Sequence, residues 1–296
     1  MLIVFALVCI SFTTLYTMQY IPKVGRLETP PRLRSNTHSH SLGHMNESVA
    51  LIIRSHGGYS NALVSMLWGM EAQSTDLRML ALILPTEYPA AEVLHHHLQR
   101  HWSYYHYNPG KVASTTVMNI PKAEYDSHCC DLDRLCVDDW RQKLVSGGWS
   151  KDTVRRYCEV NSPLHYHLTD RALSFVVDNC TSCKHVVVTN ADNSYTPDFL
   201  QKATALMASG AYDIVLVNML HRGNVIEVAP ENGKLDLGCA LLSIDFLRKN
   251  KLSFLSSLPQ PTEPQHYHDA DFWMIDNCIK HGARIGYIRE VLFNHN

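Results

Sequence analysis

The chain lacks the patterns that announce several common chemistries. No G-x-G-x-x-G follows an apolar run, and Gly57-Gly58 is too short for a dinucleotide fingerprint. There is no P-loop and no G-x-S-x-G. Hydride transfer, nucleoside-triphosphate hydrolysis and α/β-hydrolase chemistry lose their usual anchors. A charge excess is missing as well: 26 Lys and Arg face 28 Asp and Glu, a net charge of −2. A nucleic-acid face is broad and basic, so nucleic acid is excluded as the main partner. With 14 Gly, 13 Pro and no internal repeat, collagen-like and low-complexity classes fall away, and 46% hydrophobic residues is too many for disorder. A chain of 296 residues buries roughly three quarters of its unfolded surface and folds without staples.

Charge is also absent from Met1 to Ile21, Lys23 being the first charged residue. Roughly 20 apolar residues cross a bilayer's hydrocarbon core. Residues 1–21 therefore predict a hydrophobic helix acting as a transmembrane signal-anchor, a cleaved signal peptide being the alternative. There is no basic stretch before the segment and no small-x-small cleavage site after it. Residues 22–47 hold Pro22, Pro30 and Pro31 without apolar periodicity and read as a stem. Lys23, Arg26, Arg32 and Arg34 follow the segment, which by the positive-inside rule favours a cytoplasmic domain. Two features oppose that. Asn46-Glu47-Ser48 and Asn179-Cys180-Thr181 match the N-glycosylation pattern, and eight cysteines remain beyond Cys9, an even set that fits an oxidising lumen. A luminal domain is the expectation.

From Val49 the pattern turns regular. Val49–Ile53 reads as a buried strand, Leu63, Met66, Leu67 and Met70 as a helical stripe, and Leu77–Leu84 as a second strand. Helix is expected over about 90–102, from Thr169 as a cap to Asn179, over 198–209 and over 270–281. His185–Thr189 and Ile214–Val217 read as further strands, 224–243 as a hairpin, and 285–289 as a last strand before the tail. Continuous apolar strands alternating with helices predict an α/β fold, a mostly parallel sheet with helices on both faces. Residues 103–163, with helices near 131–145 and 151–159, read as an insertion.

Three clusters could carry chemistry. Thr189-Asn190-Ala191-Asp192-Asn193 closes a buried strand, where open α/β sheets bind ligands. A carboxylate there can hold Mg²⁺ or Mn²⁺ when phosphates complete the shell, or it can be an ordinary turn residue. Asp269 and Asp271 open a helix, where one carboxylate could act as general base or Asp269 could merely cap. His295 stands in the tail between Asn294 and Asn296. Other clusters weigh less. His97 and His101 lack an accompanying Glu and read as a polar helix face, while Cys180 and Cys183, with no second CxxC, read as a structural disulfide or buried thiols.

In this order the clusters resemble the GT-A fold of nucleotide-sugar glycosyltransferases, most nearly the glycosyltransferase family 2 group, over residues 48–296. VVVTNADNSYTPDFL is similar to that group's DxD strand and turn, and DADFWMIDNCIKHGARIGYIREVLFNHN to its acidic-pair helix and His-containing tail. The resemblance implies a hexosyltransferase that moves a sugar from a nucleotide-diphosphate donor to a hydroxyl of a glycan, protein or lipid. It implies Mn²⁺ or Mg²⁺, and a Golgi or ER membrane protein with a luminal catalytic domain, secreted if the segment is cleaved. Asp192 matches the DxD aspartate holding metal and diphosphate, and Asn190 stands where a first carboxylate often lies. Asp269 matches the catalytic base, which implies inversion, and Asp271 the second acid. His295 is similar to a tail histidine that completes a metal shell. Arg54, Ser55, His56, Glu87, Asp170 and Asn193 fall where the donor nucleotide is bound. His268 occupies the place of a family glutamate, and Asn190 leaves open a non-catalytic binding module. A nucleotidyltransferase would need a better glycine-rich basic loop than Arg54 and two glycines.

Overall fold

A computed structural model describes residues 48–55, 60–86, 90–101, 111–123, 148, 163–260, 262 and 264–296. The expected anchor (1–21), stem (22–47), His56, Glu87 and the helices near 131–145 and 151–159 lie outside the described residues.

The continuous apolar runs do form the middle of a sheet. In β1 (Ser48–Ser55), Val49 to Ile53 are fully buried, because helices cover both faces. Helix α1 (Ser60–Glu71) turns Leu63, Met66, Leu67 and Met70 inward. β2 (Arg78–Pro85) and β4 (Cys183–Asn190) flank β1 in parallel, with α2 (Ala90–His101) following β2. β3 (Val112–Val117) adds a parallel edge strand on β2. That strand falls inside the expected 103–163 insertion, part of which is therefore sheet. Helix α3 (Pro163–Asn179) starts at a proline, not at Thr169, whose hydroxyl donates to the His165 carbonyl inside the helix.

Beyond β4 the sheet changes character. The strand order is β3-β2-β1-β4-β8-β6-β9-β5, with β7 paired to β6. β6 (Ile214–His221) and β9 (Ile285–His295) are parallel to each other. β8 (Ala240–Ser243) runs antiparallel to both β4 and β6. β5 (Ser194–Tyr195) is antiparallel to β9, and β7 (Asn224–Ile226) to β6. The sheet is mostly parallel, as expected, with the short β5, β7 and β8 running against the other six strands. The chain reaches β8 through a loop rather than a helical crossover, which allows it to enter from the opposite end. The expected hairpin is relocated: it joins β6 to β7 through Arg222 and Gly223, both at positive φ as a tight two-residue turn requires.

Helix α4 (Phe199–Ala208) packs against β6 and β9, and α5 (Ile244–Asn250) follows β8 with Ser243 as its cap. Short helices α6 (Phe254–Ser257) and α7 (Pro264–His268) lead to α8 (Ala270–Lys280), which buries Ala270, Met274, Ile275 and Cys278. β9 continues to His295, so the expected tail is strand. All described residues belong to one unit, His44–Asn296. Among them, no helix is long and apolar enough to cross a membrane. Cys180 and Cys183 form a disulfide. Cys239 and Cys278 are buried free thiols, so the eight cysteines do not all pair.

Candidate active site

The carboxyl ends of β1 and β4 lie side by side where the strand order reverses direction, the usual ligand edge of an open α/β sheet. Their register sets Arg54 opposite Asn190. Arg54 Nε donates to Asn190 Oδ1 at 2.9 Å, and Ala191 N donates to the Arg54 carbonyl at 2.8 Å. Asn190, in the position of a first carboxylate, is thus committed to an arginine. Asn193 is buried, and its amide donates to Thr189 Oγ1 at 3.1 Å. Through that bond it ties the turn together from inside, and its Oδ1 is buried without a hydrogen-bond partner among the described residues. Asp192 is different: among the described residues its carboxylate has neither hydrogen-bond nor ion-pair partner, and it is only partly buried.

The C-terminal strand returns to this turn. Ser194 and Tyr195 pair with Asn294 and Phe293, and the Asn296 side chain donates to the Asp192 carbonyl at 2.5 Å. His295 is carried there with them. Its ring lies 4.6 Å from that of His221, and its Nε2 is 3.7 Å from Asp236 Oδ2. Asp236 was not singled out by the sequence. Its other oxygen accepts from Gly238 N at 2.7 Å, capping the 3₁₀ turn Leu237–Cys239. Gly238 has no room for a side chain, since a Cβ would sit 2.4 Å from the Phe293 ring and 2.9 Å from Asp236 Oδ1.

The acidic pair divides into two roles. Asp269 stands at the N-cap of α8 yet makes no capping bond. Its Oδ2 accepts instead from Asn232 Nδ2 at 2.9 Å, so the plain cap is ruled out. Asp271 points inward, accepting from Tyr166 Oη at 3.1 Å and Leu237 N at 3.2 Å. Burial raises its pKa above the usual carboxylate range. Arg54 opposes that rise, Asp236 adds to it, and the Leu237 amide and Tyr166 hydroxyl oppose it. So engaged, the carboxylate also acts as a strut between α3 and the Leu237 turn. Arg54 lies 5.5 Å from the centre of the Tyr166 ring. Burial works against its charge, but Tyr166, Asp271 and Asp236 outweigh that and raise its pKa. Burial likewise drives the Tyr166 hydroxyl far above its ordinary value, with Asp271 adding to the effect.

Two further residues expected at the donor make contacts within the fold. Ser55 is fully buried, and its carbonyl accepts from the Thr86 amide and hydroxyl. Asp170 accepts from the Phe254 and Leu255 amides at 2.7 and 2.9 Å, so it caps α6. Its pKa is raised by burial, against which those two amides pull. His56 and Glu87 lie outside the described residues. Among the described residues, no group of three or more His, Cys, Asp and Glu side chains is placed to hold a metal ion.

No family model and no curated protein matches the chain. Solved structures do. The mannosyltransferase PcManGT from Pyrobaculum calidifontis, in complex with GDP-Man and Mn²⁺, matches with a TM-score of 0.50 at 13% identity, over 85% of this chain and 57% of that one. S. aureus TarS in complex with UDP-GlcNAc matches with a TM-score of 0.46 at 10% identity, over 84% of this chain and 58% of that one. The chain spans less than two thirds of either. The mannosyltransferase likeness fixes the fold, a GT-A-like mixed α/β architecture.

Proposed function

We propose that the chain is a nucleotide-sugar glycosyltransferase. What supports this reading is a run of contacts joining the residues expected to carry it. Asp192 meets the tail through Asn296, His295 faces Asp236, and Leu237 beside Asp236 binds Asp271, two residues from Asp269. In the reaction, Asp269 accepts the proton of an acceptor hydroxyl. The oxygen bonds to the sugar's C1 as the C1–O bond to the diphosphate breaks, and the nucleoside diphosphate leaves with the electron pair. Attack from the opposite face inverts the anomeric carbon. Arg54 keeps the β1–β4 edge in register through Asn190, and Asp271 holds Leu237 and Tyr166 behind the base.

The donor set suits Mn²⁺ or Mg²⁺ only as a shared site. Asp192 offers an unengaged carboxylate and His295 an imidazole, which is too little for a protein-only cage but enough when diphosphate oxygens complete the shell. Bound there, the ion would neutralise charge on the leaving diphosphate. We extend the proposal to a hexosyl donor, a glycan, protein or lipid acceptor, and a domain held in the Golgi or ER lumen by residues 1–21 through a stem at 22–47. The Cys180–Cys183 bridge supports an oxidising compartment. A second reading, a nucleotide- or glycan-binding module without turnover, is favoured by the engagement of Asn190 with Arg54.

A thermal-shift screen of nucleoside diphosphates and their sugars, with and without Mn²⁺, tests both. One nucleoside diphosphate is expected to raise the Tm, more so with the ion. Asp192→Ala should lose the ion-dependent part. Asp269→Asn should retain donor binding and lose about 10²–10⁴-fold in kcat. Tight binding with no turnover on any acceptor leaves the module, and no stabilisation by any donor sinks both readings.

A further inference from the structure

The triplet Asn179-Cys180-Thr181 plays no part in the function proposed above. The fold nevertheless presents it to solvent. Asn179 is the last residue of α3, and Asn179 and Thr181 are both exposed. One turn earlier on the same helix face, Phe175 is 48% exposed and offers an apolar surface to solvent. Asp178 and Ser174 beside it are exposed too, so a bulky substituent on Asn179 displaces no packing. Between the two exposed residues of the triplet, Cys180 is buried and bridged to Cys183. Disulfides persist in the same oxidising compartments where such triplets receive glycans.

The geometry also orders the events. Asn179 Nδ2 donates to the Phe175 carbonyl at 2.9 Å, and Thr181 sits within the short loop that the disulfide closes. A helical asparagine followed by a bridged cysteine cannot extend into another enzyme's cleft. We infer that Asn179 carries an N-linked glycan, attached before the Cys180–Cys183 bridge closes. In that step Asn179 Nδ2 bonds to C1 of an oligosaccharide held on a lipid diphosphate. The C1–O bond breaks, the lipid diphosphate leaves with the electron pair, and the amide proton goes to a base of the transferring enzyme. The exposed Phe175 ring then gives the apolar face of the first sugar a surface to lie on.

The test uses the full chain in a secretory eukaryotic host, with Asn46→Gln removing the other triplet. Treatment with an amidase that cleaves N-linked glycans should increase gel mobility. Asn179→Gln and Thr181→Ala should each abolish that shift, and Thr181→Ser should keep it. Because the step precedes folding, a variant that misfolds still reports. Absence of any Asn179-dependent shift in the otherwise native chain overturns the inference. A shift confined to Cys183→Ser overturns it as well, and identifies bridge closure as the faster event.

Discussion

Strands β3, β2, β1 and β4 and strands β8, β6, β9 and β5 share one sheet, but they differ in strand direction and in the polar groups set among them. In the first group the interior of β1 is five fully buried apolar residues, and every pairing is parallel. Hydrophobic burial carries that half, at roughly 25 cal/mol per Å² of apolar surface. In the second group β8 and β5 run against β6 and β9, and a polar side chain enters the interior. Buried Asn218 in β6 donates to the Arg289 carbonyl at 2.8 Å and accepts from Val228 N at 3.0 Å, where the β6–β9 register shifts. That amide anchors the loop bearing Asn232 and Asp236. The difference teaches where chemistry can be built: the apolar half supplies a rigid edge, and the polar half delivers side chains to it.

The sharpest way to break the comparison is to put the same atom into each half. Gly69 in α1 has nothing within 4 Å of a built Cβ, whereas at Gly238 the Phe293 ring and Asp236 Oδ1 are within 3 Å. Gly69→Ala should stabilise by about 0.5–1 kcal/mol by removing a helix-interior glycine. Gly238→Ala should cost about 1–3 kcal/mol through overpacking. Thermal unfolding reads both, since each kcal/mol moves the Tm of a domain this size by about 2–4 °C. If Gly238→Ala unfolds at the same temperature as wild type, the polar half is looser than described.

The same contrast explains what the sequence discloses. Val49–Ile53 and His185–Thr189 are legible as strands because burial on both faces writes an unbroken apolar run. Asp192, Asp269 and His295 are legible as candidates because each lies at a boundary, after a buried strand, before a helix and in the C-terminal tail. The partners are not, because they lie far away along the chain: Arg54 and Asn190 are 136 residues apart, Tyr166 and Asp271 105, and Asn232 and Asp269 37. Asp236 hides in the polar stretch before Leu237, where only Asp-Leu-Gly, a short-turn cap, marks it. For Asn193 and Asp170 composition alone does not separate two roles. An Asn or Asp that serves its own turn or a neighbouring helix end has the same composition as one that serves a substrate.

Asn232 offers a smaller break, on the side of the proposed base. Its amide donates to Asp269 Oδ2 from an exposed loop, so Asn232→Ala removes one hydrogen bond worth about 0.5–1.5 kcal/mol. If that bond positions the carboxylate, kcat should fall by roughly 2–10-fold on the same scale, with donor affinity unchanged. Asn232→Asp should be worse than Ala, because it sets a second negative charge beside the first. An unaltered kcat in both variants would leave Asn232 as loop packing alone.

The finest test is the pH dependence of stability at Asp271. Burial raises its folded-state pKa above the unfolded value, with Arg54, the Leu237 amide and the Tyr166 hydroxyl only partly offsetting it. A group shifted in this direction contributes stability that is complete below the unfolded carboxylate pKa of about 3.9 and is lost as pH rises through the folded value. Asp271→Asn cannot ionise, so its stability should lack that decline. The wild-type advantage over the variant, measured by urea unfolding, should be greatest near the acid end and shrink toward neutrality. The opposite trend, a wild-type advantage growing with pH, would mean that Arg54 and the two donors outweigh burial. Asp271 would then be a charged partner in the cluster, not a strut held against its own ionisation.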